Sequence, residues 1–168
     1  MVSERAVRLT IVPLMTLSFL TSIVVLAIAA SLESHWLATG FPSNAARDRE
    51  RLLLTAGIWG TLVSSVYSLI GTLLKPQSVA FGIMFHLVAF AIAFFLYLCG
   101  ASSLTAFVAN RNCGIPMQTF SRCNVTKGLV AVGWIGTIWV FIILIIVLIL
   151  GVKARSGAGI RRGALTDA

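Results

Sequence analysis

The chain has 168 residues, 58% of them hydrophobic and 11% charged, with a mean hydropathy of +0.99 and a net charge of +8. Ordinary soluble domains carry about 25% charged residues, so this composition excludes a water-soluble fold and leaves room for one compact unit. The basic residues flank apolar runs, where they suit anionic headgroups, and point to a membrane with no nucleic-acid partner.

Residues 1–8 form a short basic tail, predicted to be cytosolic. The first apolar run covers 9–32, too long for the core of a cleaved signal peptide, and is expected to serve as an uncleaved signal anchor. Pro13 is expected in its first turn, where a missing N–H does little harm. Glu33, Ser34, His35 and Trp36 mark the outer interface, with Trp36 as a headgroup anchor. Residues 39–42 turn the chain, and Ser43 or Asn44 caps a helix starting at Ala45. Arg47, Asp48, Arg49, Glu50 and Arg51 are expected to form its wet first turns, with charges pairing along the helix.

The second run covers 52–74, and the link 75–78 makes a tight hairpin to the third run, 79–108. That third run exceeds what a bilayer needs, so it tilts or lifts 101–108 above the membrane. The fourth run is 129–152, followed by a flexible basic cytosolic tail, 153–168. A helix rises about 1.5 Å per residue and must cross about 30 Å of hydrocarbon. Each run meets that length. The predicted fold is all-α, an antiparallel bundle of four transmembrane helices occupying 9–152.

Four spans put both termini on one side. Basic residues barely discriminate: Arg5, Arg8, Lys75, Lys153, Arg155, Arg161 and Arg162 lie on that side, against Arg47, Arg49, Arg51, Arg111, Arg122 and Lys127 on the other. The first span helps more, with Arg5 and Arg8 before it and Glu33 and His35 after it. Cys113 and Cys123 share the third connection, where a bond closes a short loop worth about 2–3 kcal/mol in the chain-entropy model. Such a bond persists in an oxidising compartment. Loop 109–127 is therefore expected outside or in the lumen, and the termini in the cytosol, in the plasma membrane or a secretory-pathway membrane. The same loop carries Asn124-Val125-Thr126, a possible glycosylation site close to the fourth span. Cys99 could pair with Cys113, but a buried inert thiol is the simpler reading.

Small residues recur at helix-packing spacing. Gly57, Gly60, Ser64, Ser68 and Gly71 form a stripe on the second span, and Gly128, Gly133 and Gly136 lie on the fourth. Such stripes bring backbones together in lipid, either within one bundle or between copies. His86 is the ionisable side chain inside a span. It bonds to a hydroxyl among Ser64, Ser65, Tyr67 and Ser68, or handles a proton or ligand. No metal cluster, nucleophile elbow or phosphate loop is legible, so no cofactor, no metal and no catalytic residue is expected, and the chain reads as a non-enzyme.

The four-span plan, the run Arg49-Glu50-Arg51-Leu52-Leu53-Leu54-Thr55-Ala56-Gly57-Ile58-Trp59-Gly60 entering the second span, and Cys113 and Cys123 ahead of Gly133-Trp134 resemble the MARVEL-domain proteins, especially the small fungal ones. The likeness spans about residues 7–151. The Cys-Cys-Gly motif of tetraspanins and the Gly-Leu-Trp-x-x-Cys pattern of claudins are absent, as are the first-span Arg and third-span Asp of the plant Casparian-strip relatives. The resemblance implies membrane organisation or vesicle trafficking, with membrane lipids, sterol among them, and a homo-oligomer as partners. It carries no catalytic residues. The alternative is an accessory structural subunit of a larger membrane complex, such as an enzyme, channel or respiratory-type assembly.

Overall fold

The structure, a computed structural model, describes residues 4–73, 83–109, 111–114 and 120–156. It is all-helical among the described residues: α1 (Glu4–Thr39), α2 (Asn44–Leu73), α3 (Ile83–Val108) and α4 (Cys123–Ser156). The helices pack as a closed ring, α1 against α2, α2 against α3, α3 against α4, and α4 back against α1. Sequential neighbours are antiparallel, so the α1–α2 and α3–α4 connections share one end, here called the loop end. The predicted hairpin link 75–78 lies outside the described residues, as does most of the 153–168 tail.

Three helices contain stretches long and apolar enough to cross a membrane: Val12–Thr39, His86–Val108 and Cys123–Ile149. α2 is more polar at its start, with five successive charged residues from Arg47 to Arg51. Beyond them its outer face is apolar, through Ile58, Leu62 and Val66. Every helix turns a large apolar side chain outward. Leu20, Leu62, Phe95 and Ile138 are 53%, 57%, 62% and 55% exposed. Apolar area in water costs about 25 cal/mol per Å², so lipid is the solvent in which these faces are stable.

Inside, small residues allow close approach. A Cβ on Gly57 would lie 3.0 Å from the Leu26 backbone nitrogen, and one on Gly60 would collide with Ser22 Oγ. One on Gly136 would lie 2.8 Å from Tyr97 Cε1. Close backbone packing of this kind holds helices together where the hydrophobic effect is silent.

The helix ends differ from expectation in instructive ways. α1 begins at Glu4, so Pro13 falls in the helix interior and the Leu9 carbonyl loses its helical donor. α1 also runs on through the expected interface to Thr39, where Gly40 adopts φ +90° and donates its N–H to Trp36 O at 2.8 Å. That left-handed turn, favoured by glycine, closes the helix, and Pro42 prevents its continuation. Ser43 then caps α2, its Oγ accepting the Ala46 N–H at 3.1 Å. α4 starts at Cys123, earlier than the apolar run beginning at 129, because the polar turn 123–128 satisfies its backbone as helix.

Candidate functional site

The loop end carries Glu33, the charged run from Arg47 to Arg51, Arg111, Arg122 and Lys127. Arg51 donates to Glu33 Oε1 through Nη2 at 2.6 Å and Nε at 2.9 Å, tying α2 to α1. This pair runs between helices. Along α2 only Arg47 and the adjacent Asp48 pair, at 3.4 Å, among the described residues. The Arg47 and Arg51 guanidiniums lie 6.0 and 5.8 Å from the Phe41 ring centre. Phe41 in turn packs on Trp36 at 5.7 Å, Trp36 on Phe120 at 6.4 Å, and Phe120 on Phe107 at 5.5 Å. The Arg111 guanidinium lies 5.6 Å from the Phe107 ring centre. The result is an aromatic stack with cations at both ends, each such contact worth about 0.5–1 kcal/mol when exposed.

Trp36 is the centre of that stack and is 1% exposed. It is therefore a core residue and not the headgroup anchor expected from its place after Glu33. The reason is the length of α1, whose extra turn lets Phe41 and Phe120 close over the indole.

The α3–α4 connection is clasped onto α1. A disulfide joins Cys113 to Cys123 with a Cα–Cα distance of 5.7 Å. His35 Nε2 lies 2.6 Å from Ser121 Oγ, and Arg122 Nη1 donates to Ser31 Oγ at 3.3 Å. Arg122 holds φ +60°, uncommon for a residue with a Cβ. Its carbonyl accepts the Thr126 N–H at 3.0 Å, opening α4. The disulfide one residue later fixes that turn.

Glu50 differs from Arg51 and Glu33 beside it. It is 0% exposed, and neither carboxylate oxygen has a hydrogen-bond partner among the described residues. Burial pushes its pKa up to about 8, the Glu33 charge adds to the rise, and Arg51 opposes it. Arg51, by contrast, is exposed and held in its charged form by the Glu33 hydrogen bond. The expected wet first turn of α2 is thus half wrong: Asp48 and Arg51 are exposed, Arg47 and Arg49 are half-buried, and Glu50 is fully buried. The signal was in the spacing. Glu50 precedes Gly57 by seven residues and Ser64 by fourteen, so it continues the same inward stripe. Glu33 Oε2 and Trp36 Nε1 are also buried without a hydrogen-bond partner among the described residues.

The middle of the bundle is better satisfied. Tyr97 donates its hydroxyl to Ser22 Oγ at 3.0 Å, and Ser22 donates to Ser18 O at 2.8 Å. Trp59 Nε1 donates to Ala89 O at 3.1 Å, joining α2 to α3. Trp134 Nε1 donates to Thr105 Oγ1 at 3.0 Å, joining α4 to α3.

Gly57 and Gly60 face α1, and Ser64 is buried, so this part of the stripe packs one bundle and is covered. Ser68 and Gly71 lie outside the residues whose side chains are described. His86 and Ser64 are both buried, Ser65 is exposed, and Tyr67 is not described beyond its helix. Asn124 is exposed in the first turn of α4, while Thr126 of the same triplet is fully buried. Cys99 is exposed on α3, against the expectation of a buried thiol. Among the described residues no three of His, Cys, Asp and Glu converge as metal ligands.

Among the described residues, a concave outer surface lies between α2 and α3. This groove holds about 370 Å³ and is lined by Trp59, Leu62, Val63, Val66, Val88, Ala89 and Ile92, with no polar surface. No family model, curated protein or solved structure matches the chain.

Proposed function

We propose that the chain is a non-enzymatic integral membrane protein that organises neighbouring helices and lipids, in membrane domains or in vesicle trafficking. The observation that carries this reading is the wholly apolar α2–α3 groove, open to the lipid side of the bundle. The interior glycines are spent on closing the bundle, so self-association or lipid capture uses this groove and not the Gly57–Gly60 face. Its apolar lining offers dispersion contacts alone, suited to an acyl chain, a sterol or an apolar helix. The resemblance to MARVEL-domain proteins supports the same reading. The disulfide supports an extracytosolic loop end and cytosolic termini, in the plasma membrane or the secretory pathway.

The groove also suits the alternative, an accessory subunit seated against a helix of a larger complex. One experiment separates the two. Leu62→Trp with Val66→Trp fills the groove without touching the interior. Mild-detergent purification of the parent chain should yield self-oligomers with co-purified lipid, and the double variant should lose both. A partner of fixed stoichiometry, lost in the variant, would favour the subunit. If the variant kept the oligomers and lipid of the parent, the groove would be the wrong surface.

A further inference from the structure

The loop end of the bundle contains a carboxyl group that no cation or donor among the described residues reaches. Glu50 Oε1 and Oε2 are both buried and both lack a hydrogen-bond partner, although Arg51 is its neighbour in sequence. Arg51 is already committed to Glu33 Oε1. An ionised carboxylate buried in this way is among the most costly groups a protein can hold, and such a group takes up a proton instead. The core at this end is apolar, with Leu32, Leu53, Leu104 and Leu129 all fully buried. A proton is the one ligand that removes the charge without demanding volume or oxygen ligands. Two carboxylates, one of them already paired with an arginine, are a poor cage for a hard cation, which takes six or more oxygens.

We propose that Glu50 is a proton-binding site built into the α1–α2 clasp, filled while the loop end is closed and emptied when that end opens.

The charged surroundings favour this assignment. From α1, Glu33 opposes ionisation of Glu50, while Arg51 on α2 assists it. Of the other ionisable groups of this end, His35 lies on Ser121, Arg122 on Ser31, Arg111 over Phe107 and Arg47 on Asp48, and Arg49, half-buried just before Glu50, makes no ion pair with it among the described residues. Lys127 on α4 is exposed, and the loop-end half of α3, 96–108, carries no charged side chain. Loss of the proton leaves two carboxylates beside one arginine. The Glu33–Arg51 link between α1 and α2 is then shared with a second anion, and the cheapest relief is hydration of Glu50 by parting the clasp.

The test uses the full chain in phosphatidylcholine vesicles. Infrared spectra in neutral buffer should contain the C=O stretch of a protonated carboxylic acid, lost in alkali and absent in Glu50→Gln. Glu33→Gln should move that loss to lower pH by about one unit and Arg51→Gln to higher pH. Amide hydrogen exchange at 29–36 and 46–54, corrected for pH, should rise as the band is lost, and should not rise in Glu50→Gln. A band that survives Glu50→Gln, or no protonated band at neutral pH, would overturn the assignment. So would a midpoint indifferent to both Glu33→Gln and Arg51→Gln, or millimolar calcium chloride removing the band in neutral buffer.

Discussion

Arg51 Nη2 lies 2.6 Å from Glu33 Oε1, while the residue just before it, Glu50, is fully buried with no hydrogen-bond partner for either oxygen among the described residues. One helical residue step of about 100° separates a satisfied exposed cation from an unsatisfied buried acid. The α1–α2 junction is therefore held by one carboxylate and strained by another, which makes its stability depend on pH.

Glu50 has a folded pKa of about 8, raised from 4.5 by burial. The folded state binds this proton more tightly than the unfolded one. Stability is therefore full below the unfolded value and falls as pH rises towards and through 8. Thermal unfolding in detergent should show a midpoint that drops between mildly acidic and mildly alkaline buffer. Glu50→Gln should flatten that slope and exceed the parent chain in alkali. A parent midpoint that climbs across the same window would contradict the burial of a neutral Glu50.

Gly60 faces Ser22 and Tyr97, with Ser22 Oγ where a Cβ would stand. Gly60→Leu should destabilise the bundle by about 3 kcal/mol, the upper end of overpacking. Leu62→Ala, two residues on but facing outward, should change thermal stability little. Equal losses in the two variants would mean that the α2 faces are assigned the wrong way round.

Tyr97 and Ser22 bridge the diagonal of the ring at 3.0 Å in a buried setting. Tyr97→Phe should cost about 1 kcal/mol. Adding Ser22→Ala to that variant should then cost less than Ser22→Ala does alone. Strict additivity in this cycle would show that the bond contributes nothing.

The Cys113–Cys123 bond holds the segment that brings Phe120 over Trp36. Cys113→Ser with Cys123→Ser should lower stability by about 2–3 kcal/mol. It should also expose Trp36 to water, read as a red shift of indole emission in a variant where Trp59, Trp134 and Trp139 are replaced by Phe. An unshifted spectrum would mean that the aromatic stack closes without the crosslink.

Three membrane-crossing apolar helices, the Cys113–Cys123 pair and a cap at Ser43 or Asn44 were legible in the chain, because each depends on local geometry or on the solvent alone. A run of apolar residues must meet lipid whatever its neighbours are. The inward path of Glu50, the burial of Trp36 and the outward position of Cys99 were not legible in the same way. Each depends on how far a helix is rotated and how long it runs, and those are set by partners distant in sequence: Leu26 and Ser22 against Gly57 and Gly60, Phe120 against Trp36. The inward stripe could have been extended from Gly57 back to Glu50, but a charged residue beside four others reads as solvated until a facing helix excludes the water. Sequence by itself determined the medium, the helical class and the crosslink. Tertiary packing decided which polar groups water could reach, since burial is a property of the assembled surface and belongs to no single residue.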